Sequence, residues 1–233
     1  MKLLIIRPEP GASASAARAK AAGFDPVVLP FFEVRAQPWK VPEGADYDAL
    51  LLTSANAVRH AGAGLAALAT LPCYCVGERT AAAARSFALD IAYQGGSDVD
   101  EIIAAAAQDG RQSLVWLAGA DHRPLAPPQD VRIDTHIVYA SEALELPEDA
   151  PGIIAGTEAV ALHSARAARQ FAATIDRLQL DRVRFLIAAF SPAIAEAAGQ
   201  GWRGVVTAAE PQDSALLSAL AAHGRDSRTI KEI

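Results

Sequence analysis

The sequence predicts an α/β fold of two related halves, each a mostly parallel sheet with helices on both faces. Three observations carry this. Short apolar runs alternate with alanine-rich helical stretches along the whole chain, the pattern of strand–helix units around parallel sheets. Leu50-Leu51-Leu52-Thr53-Ser54-Ala55-Asn56-Ala57-Val58-Arg59 returns as Val160-Ala161-Leu162-His163-Ser164-Ala165-Arg166-Ala167-Ala168-Arg169, with Ser164 placed 110 residues after Ser54. Further segments repeat at nearly the same offset: residues 3–6 fall on 114–117, residues 80–84 on 193–197, and Asp100 on Asp213.

The elements follow in order. Residues 3–6 read as a buried strand stopped by Arg7-Pro8, and 13–22 as a helix ended by Gly23. Residues 26–34 are extended; their length and Pro30 and Pro38 suggest a strand that leaves one sheet and continues as a connector. A loop at 39–45 precedes a strand at 48–53, a helix at 55–69, a strand at 73–76 and a helix at 79–87. A short strand at 91–93, a helix at 98–107 capped by Ser97, and a strand at 114–117 come next. Ala126-Pro127-Pro128 leaves room for a loop or short helix before a strand at 131–139. Residues 142–152, acidic and proline-rich, read as a linker. The second half has strands at 159–162, 184–188 and 205–207 and helices at 165–173, 192–198 and 213–222. Ser191-Pro192 is an N-cap with proline at the first helical position. The polar tail after Gly224 is expected to fray.

Composition narrows the function. The chain has 233 residues, 52% hydrophobic and 21% charged, with a net charge of −6, so no basic field points to nucleic acid. An anionic ligand would be held by local dipoles and a few arginines. No apolar run reaches membrane-spanning length and the start lacks the pattern of a signal sequence, which places the protein in the cytoplasm and off the membrane. Cys73 and Cys75 lie in one strand-like run; read as alternating positions on opposite faces, they are not expected to bridge, and without a second pair they make no zinc site. His60, His122, His136 and His223 stand at no metal-ligand spacing. No metal or other cofactor is expected. No Gly-x-Gly-x-x-Gly or Gly-Lys-Ser/Thr loop follows a strand, which argues against a nucleotide-binding protein.

The repeated strand-to-helix corner has a chemical use. A helix start leaves backbone N–H groups unpaired, and with the helix dipole these favour an anion. Thr53, Ser54 and Ser164 are therefore candidate ligand contacts; the plain alternative is N-capping. Thr80 and Ser191 begin helices after strands, where open α/β sheets bind ligands, and again capping is the alternative. Arg7, after the first strand, is a candidate partner for a carboxylate. His163 has no acid at a spacing that completes a triad and is read as packing.

Taken together, Arg7-Pro8, Leu52-Thr53-Ser54-Ala55-Asn56-Ala57-Val58, Val76-Gly77-Glu78-Arg79-Thr80-Ala81, Val138-Tyr139 and Thr207-Ala208-Ala209-Glu210-Pro211 before Leu216-Leu217 resemble the uroporphyrinogen-III synthase family. The resemblance is collinear from Leu3 to about Ala222. It implies two flavodoxin-like domains, residues 1–34 with 144–233 and residues 39–139, joined by a two-strand connector near 31–41 and 138–146. It also implies an active-site cleft between the domains. The implied reaction is the cofactor-free closure of hydroxymethylbilane, with loss of water and inversion of ring D, in tetrapyrrole (heme, siroheme, cobalamin) biosynthesis. The substrate carries eight carboxylates, which suits the helix starts. Tyr139 matches a family tyrosine near the departing hydroxyl. Gly119 matches the glycine of a family Arg-Gly pair, here Ala118-Gly119 with Arg123 later. At the counterpart of Val76-Gly77 this chain has Ala189-Phe190. The resemblance implies a monomer acting on a small molecule; contact with the preceding enzyme of the pathway is left open. The competing reading is a two-domain sensor or transport module that binds a small anion without catalysis.

Overall fold

The computed structural model describes residues 1–96 and 98–229. In chain order its elements are β1 (Lys2–Ile5), α1 (Gly11–Ala21), β2 (Asp25–Val28), β3 (Phe32–Ala36), β4 (Ala49–Leu52), α2 (Ala55–His60), α3 (Ala63–Ala67), β5 (Cys73–Val76), α4 (Glu78–Ser86), β6 (Ile91–Gly95), α5 (Val99–Gln108), β7 (Ser113–Gly119), β8 (Arg132–Ala143), α6 (Ala150–Ala155), β9 (Ala159–Leu162), α7 (Ala165–Arg177), β10 (Leu186–Ala189), α8 (Pro192–Ala197), β11 (Gly204–Thr207) and α9 (Asp213–Thr229). The chain forms two compact units, Met1–Glu33 with Ala143–Ile233, and Val34–Glu142.

The first unit holds a five-stranded sheet in the order β11-β10-β9-β1-β2, with every pair parallel. Its inner strands β9 and β10, and β1 after Lys2, are apolar and buried at every position because both faces are covered. Leu4, Val160 and Ile187 face α6 and α7, whereas Leu3, Ala159 and Leu186 face α1 and α9. Phe171 of α7 is fully buried, edge-on to Phe185 at 5.8 Å and 6.3 Å from Phe31. Truncating such a ring to alanine costs about 3–5 kcal/mol.

The second unit holds a six-stranded sheet in the order β3-β8-β7-β4-β5-β6, parallel from β8 to β6. Leu50, Cys73, Cys75 and Val115 pack under α2, α3 and α4, while Leu51, Tyr74 and Trp116 pack under α5. The chain passes from one unit to the other within β3 and at the end of β8. Gln37 N donates to Val138 O and Leu144 N to Phe31 O, both at 2.9 Å, so the pair runs antiparallel.

The structure departs from the sequence reading in several places. The extended stretch at 26–34 is two strands in two sheets, divided around Pro30, which has no N–H for a ladder. The single helix expected over 55–69 is α2 and α3. Gly62, at φ 61°, turns the chain between them, and Trp39 fills the corner: its indole donates to Ala61 O at 2.7 Å, and a Cβ on Gly64 would sit 2.6 Å from its ring. The cap of α5 is Asp98, which accepts from Asp100 N; Ser97, the expected cap, lies outside the described residues. The linker read at 142–152 is shorter: residues 144–149 are irregular, but 142–143 end β8 and 150–152 begin α6, whose Ala150 and Ile154 are buried. The residues past Gly224 continue α9 to Thr229; residues 230–233 of the tail lie outside the described residues. Cys73 and Cys75 do not point to opposite faces. Residues two apart on a strand share a face, and both lie buried in one core as free thiols with sulfurs 3.5 Å apart.

Candidate active site

In an open parallel sheet the loops after the strands gather at the carboxyl ends, so side chains far apart in sequence meet there. In the second unit this edge encloses a cavity of about 460 Å³. Thr53 and Ser54 follow β4, Trp116 and Gly119 belong to β7, Tyr139 and Ser141 to β8, and His122 and Arg123 to the loop after β7; all line it.

Ser54 has extended backbone angles and its Oγ accepts from Asn56 N at 3.2 Å, so it both caps α2 and borders the cavity. Thr53 Oγ1 accepts from Trp116 Nε1 at 3.3 Å. The half-buried ring of Tyr139 lies across Gly119, where a Cβ would meet Cε2 and Cζ at 2.6 Å. The imidazole of His60 is 6.3 Å from the Tyr139 ring. His122 is fixed from two sides: its ring is edge-on to Trp116 at 5.0 Å, and its Nδ1–H donates to Gly119 O at 2.9 Å. A carbonyl can only accept, so the proton must be on Nδ1. Arg123 is held by Asp98 at 2.7 Å and Asp100 at 3.3 Å, which anchors it at the start of α5. The cavity lining thus carries hydroxyls, an imidazole, an arginine paired with Asp98 and Asp100, and the carboxylate of Asp121.

Of the residues singled out from sequence, the cavity brings together Thr53, Ser54, Gly119 and Tyr139. Thr80 is only 4% exposed within the same unit and does not line it. Arg7, Ser164 and Ser191 belong to the first unit. There Ser164 caps α7, its Oγ accepting from Ala167 N at 3.1 Å, and Ser191 caps α8, accepting from Ile194 N at 3.4 Å.

Arg7 belongs to a cluster at the carboxyl end of the first unit's sheet. Asp213, at the start of α9, accepts from His163 Nε2 at 3.0 Å, Ser15 Oγ at 2.9 Å and Arg18 Nη1 at 3.0 Å. Burial would raise this carboxyl, but the bonds from His163 and Ser15 and the charge of Arg7 hold it at about 2. Burial pushes His163 below its ordinary value against the pull of Asp213, so the ring donates from Nε2 while neutral. His163 is therefore not simple packing: the fold supplies an acid from 50 residues away, and Phe190 sits edge-on to its ring at 4.4 Å. The signal for Asp213 lay in the repeat. It falls on Asp100, and each lies in the first turn of a helix and pairs with arginine. Nothing local in the sequence marked Trp116 or His122.

Among the described residues, no group of three or more His, Cys, Asp or Glu side chains is gathered where it could hold a metal ion. None of their helices is long and apolar enough to cross a membrane.

Comparison with known proteins places this geometry. The family model described as uroporphyrinogen-III synthase HemD matches residues 13–218. The fold is similar to the crystal structure of uroporphyrinogen-III synthetase from Helicobacter pylori, with a TM-score of 0.62 at 14% identity, covering 95% of this chain and 99% of that one. It is also similar to a mutant uroporphyrinogen III synthase from the extremely thermophilic bacterium Thermus thermophilus, with a TM-score of 0.50 at 19% identity, covering 98% and 99%. No curated protein sequence matches. At these identities the structures speak for the fold, and the family model, which spans elements of both units, speaks for the family: the chain belongs to the uroporphyrinogen-III synthases.

Proposed function

We propose that this chain closes hydroxymethylbilane to uroporphyrinogen III, and that Tyr139 assists the first step. The family match over residues 13–218 carries the reaction. The cavity beside Tyr139 supports the assignment of that residue. The hydroxyl leaves from a carbon next to a pyrrole, whose nitrogen pushes electrons and leaves an azafulvene. Ring D then attacks through its substituted carbon to give a spiro intermediate. Fragmentation and closure the other way round give the type III isomer.

The pyrrole does most of the work of expulsion, so the leaving oxygen needs only a modest donor. A phenol provides one without carrying charge. The eight carboxylates of the substrate call for several donors. Thr53, Ser54 and Gly119 of the second unit, and Arg7, Ser164 and Ser191 of the first, are the proposed contacts; Thr80, a candidate from sequence, is too deeply buried to be one. Ser54 and Ser164 would act through the helix starts they cap, with backbone N–H groups turned toward anions. Holding the bilane in one folded-back geometry supplies much of the rate. In this reading the enzyme is a cytoplasmic monomer that needs no cofactor. The test is isomer analysis of the product: type III in excess of the uncatalysed type I supports the reading, and binding without turnover favours a binding module.

A further inference from the structure

We propose that Trp116 is the positioning residue that makes the Thr53 hydroxyl a donor to a substrate carboxylate; the proposal rests on the reading of Thr53 as a substrate contact. Both residues line the cavity of the second unit. They meet because of the sheet register. Trp116 of β7 pairs with Leu51 of β4. Residues two apart along a strand share a face, so Thr53 comes up on the side where the indole lies. There the Trp116 Nε1–H donates to Thr53 Oγ1 at 3.3 Å.

The direction of this bond is fixed by chemistry. An indole N–H can only donate, so the threonine oxygen must accept. A hydroxyl has one proton and two lone pairs. With one lone pair committed to Trp116, the proton is left over, and among the described residues no group accepts it. A threonine hydroxyl alone can turn either way; this one is held so that its proton is available to an acceptor in the cavity. A carboxylate is acceptor-only and charged, the partner for which such a donor is strongest.

The indole is itself held firmly. Trp116 is only 3% exposed and packs with Leu51, Val99 and Ile102 beneath α5. On its other side the ring of His122 stands edge-on at 5.0 Å. A buried tryptophan needs a partner for its N–H, and here the partner is a residue that borders the cavity. The core therefore reaches into the site through one hydrogen bond.

The test uses the full-length enzyme with hydroxymethylbilane and compares Thr53→Val, Thr53→Ser, Trp116→Phe and the Thr53→Val/Trp116→Phe double variant. Thr53→Val keeps the shape and removes the hydroxyl, and should raise KM roughly tenfold or more, with type III still the product. Trp116→Phe keeps an aromatic ring in the core and removes the N–H; it should raise KM by at least about twofold. In the Thr53→Val background it should add nothing, because a positioning residue has no effect once its target is gone. Thr53→Ser loses the branch that stiffens the side chain but keeps the oxygen for the indole to hold, so its KM should stay near that of the unmodified enzyme. This arm decides even if Trp116→Phe fails to fold: a KM as high as that of Thr53→Val would mean that the methyl sets the hydroxyl, and overturns the proposal. So does a Trp116→Phe enzyme with a lower melting temperature and an unmoved KM, or with KM raised by the same factor in both backgrounds; the bond would then only tie β7 to the start of α2. If Thr53→Val leaves KM unchanged, the assignment of Thr53 falls and the role of Trp116 with it, while type III product from that variant leaves the reaction itself standing.

Discussion

The aromatic ring of Tyr139 and the backbone of Gly119 occupy each other's space: a methyl on Gly119 would lie 2.6 Å from Cε2 and Cζ and 2.8 Å from the phenol oxygen. Real Cβ contacts are longer, so a side chain here must push the ring away. β7 and β8 are paired next to this point, where the register shifts between Ala118 and Gly119. The absence of a side chain at 119 therefore sets where the hydroxyl sits.

Two substitutions separate the hydroxyl from its placement. Tyr139→Phe keeps the ring and removes the donor. General acid help contributes roughly 100- to 10,000-fold, and the lower end is expected because the pyrrole already drives departure. The product should remain mainly type III. Gly119→Ala keeps the donor and displaces it, at an overpacking cost of about 1–3 kcal/mol. Rates with hydroxymethylbilane, corrected for spontaneous closure, measure both. An unchanged rate in Tyr139→Phe would make the ring structural.

Ser54→Glu and Ser164→Glu test the helix starts. Loss of a cap costs about 1 kcal/mol of stability. A carboxylate placed ~4 Å from a substrate carboxylate, at an effective dielectric of about 20, repels it by ~4 kcal/mol. Binding should therefore fall roughly a hundredfold or more while the fold survives. Product titration alongside thermal melting decides; a lower melting temperature with unchanged binding would leave the serines as caps alone.

Stability should fall in two stages on acidification. His163 is held below its ordinary 6.5, so below that pH the unfolded chain takes up a proton that the folded chain refuses, and stability drops. His60, lowered by burial and then by Arg59, acts in the same direction. Asp213, at about 2 against an ordinary 3.8, contributes stability that is present above 3.8 and lost as pH falls toward 2. Denaturant midpoints across this range should show His163→Gln flattening the first stage. An identical slope in that variant would mean the imidazole is as free to titrate in the folded chain as in the unfolded one.

Much of the fold was legible because the strands are buried on both faces, so runs such as Leu50-Leu51-Leu52 stand out without alternation. The break at Gly62 was not, because Trp39 makes it, from 22 residues before the carbonyl its indole bonds. Helix α6 hid behind proline and acidic residues; only the core around Ile154 makes it helical. In the site, Thr53 and Ser54 could be named because they follow a strand and open a helix, and Gly119 and Tyr139 because of the family resemblance. Trp116 and His122 could not, since a ring-to-ring contact leaves no spacing signature. The same holds for His163 and Asp213, joined only when β9 and α9 meet.

Removing metals should change nothing. The proposed steps use hydroxyl, amide and guanidinium donors, so protein treated with chelator and desalted is expected to keep its full rate. Activity that disappears and returns with a divalent ion would show that the chemistry has been assigned to the wrong groups.

The central claim is the inversion of ring D, and the isomer ratio of the product measures it directly. Purified enzyme is given fresh hydroxymethylbilane, and the products are oxidised and separated as type I and type III. The account predicts type III as the main product at a rate well above the spontaneous closure, which gives type I. Type I alone, at the spontaneous rate, would contradict it.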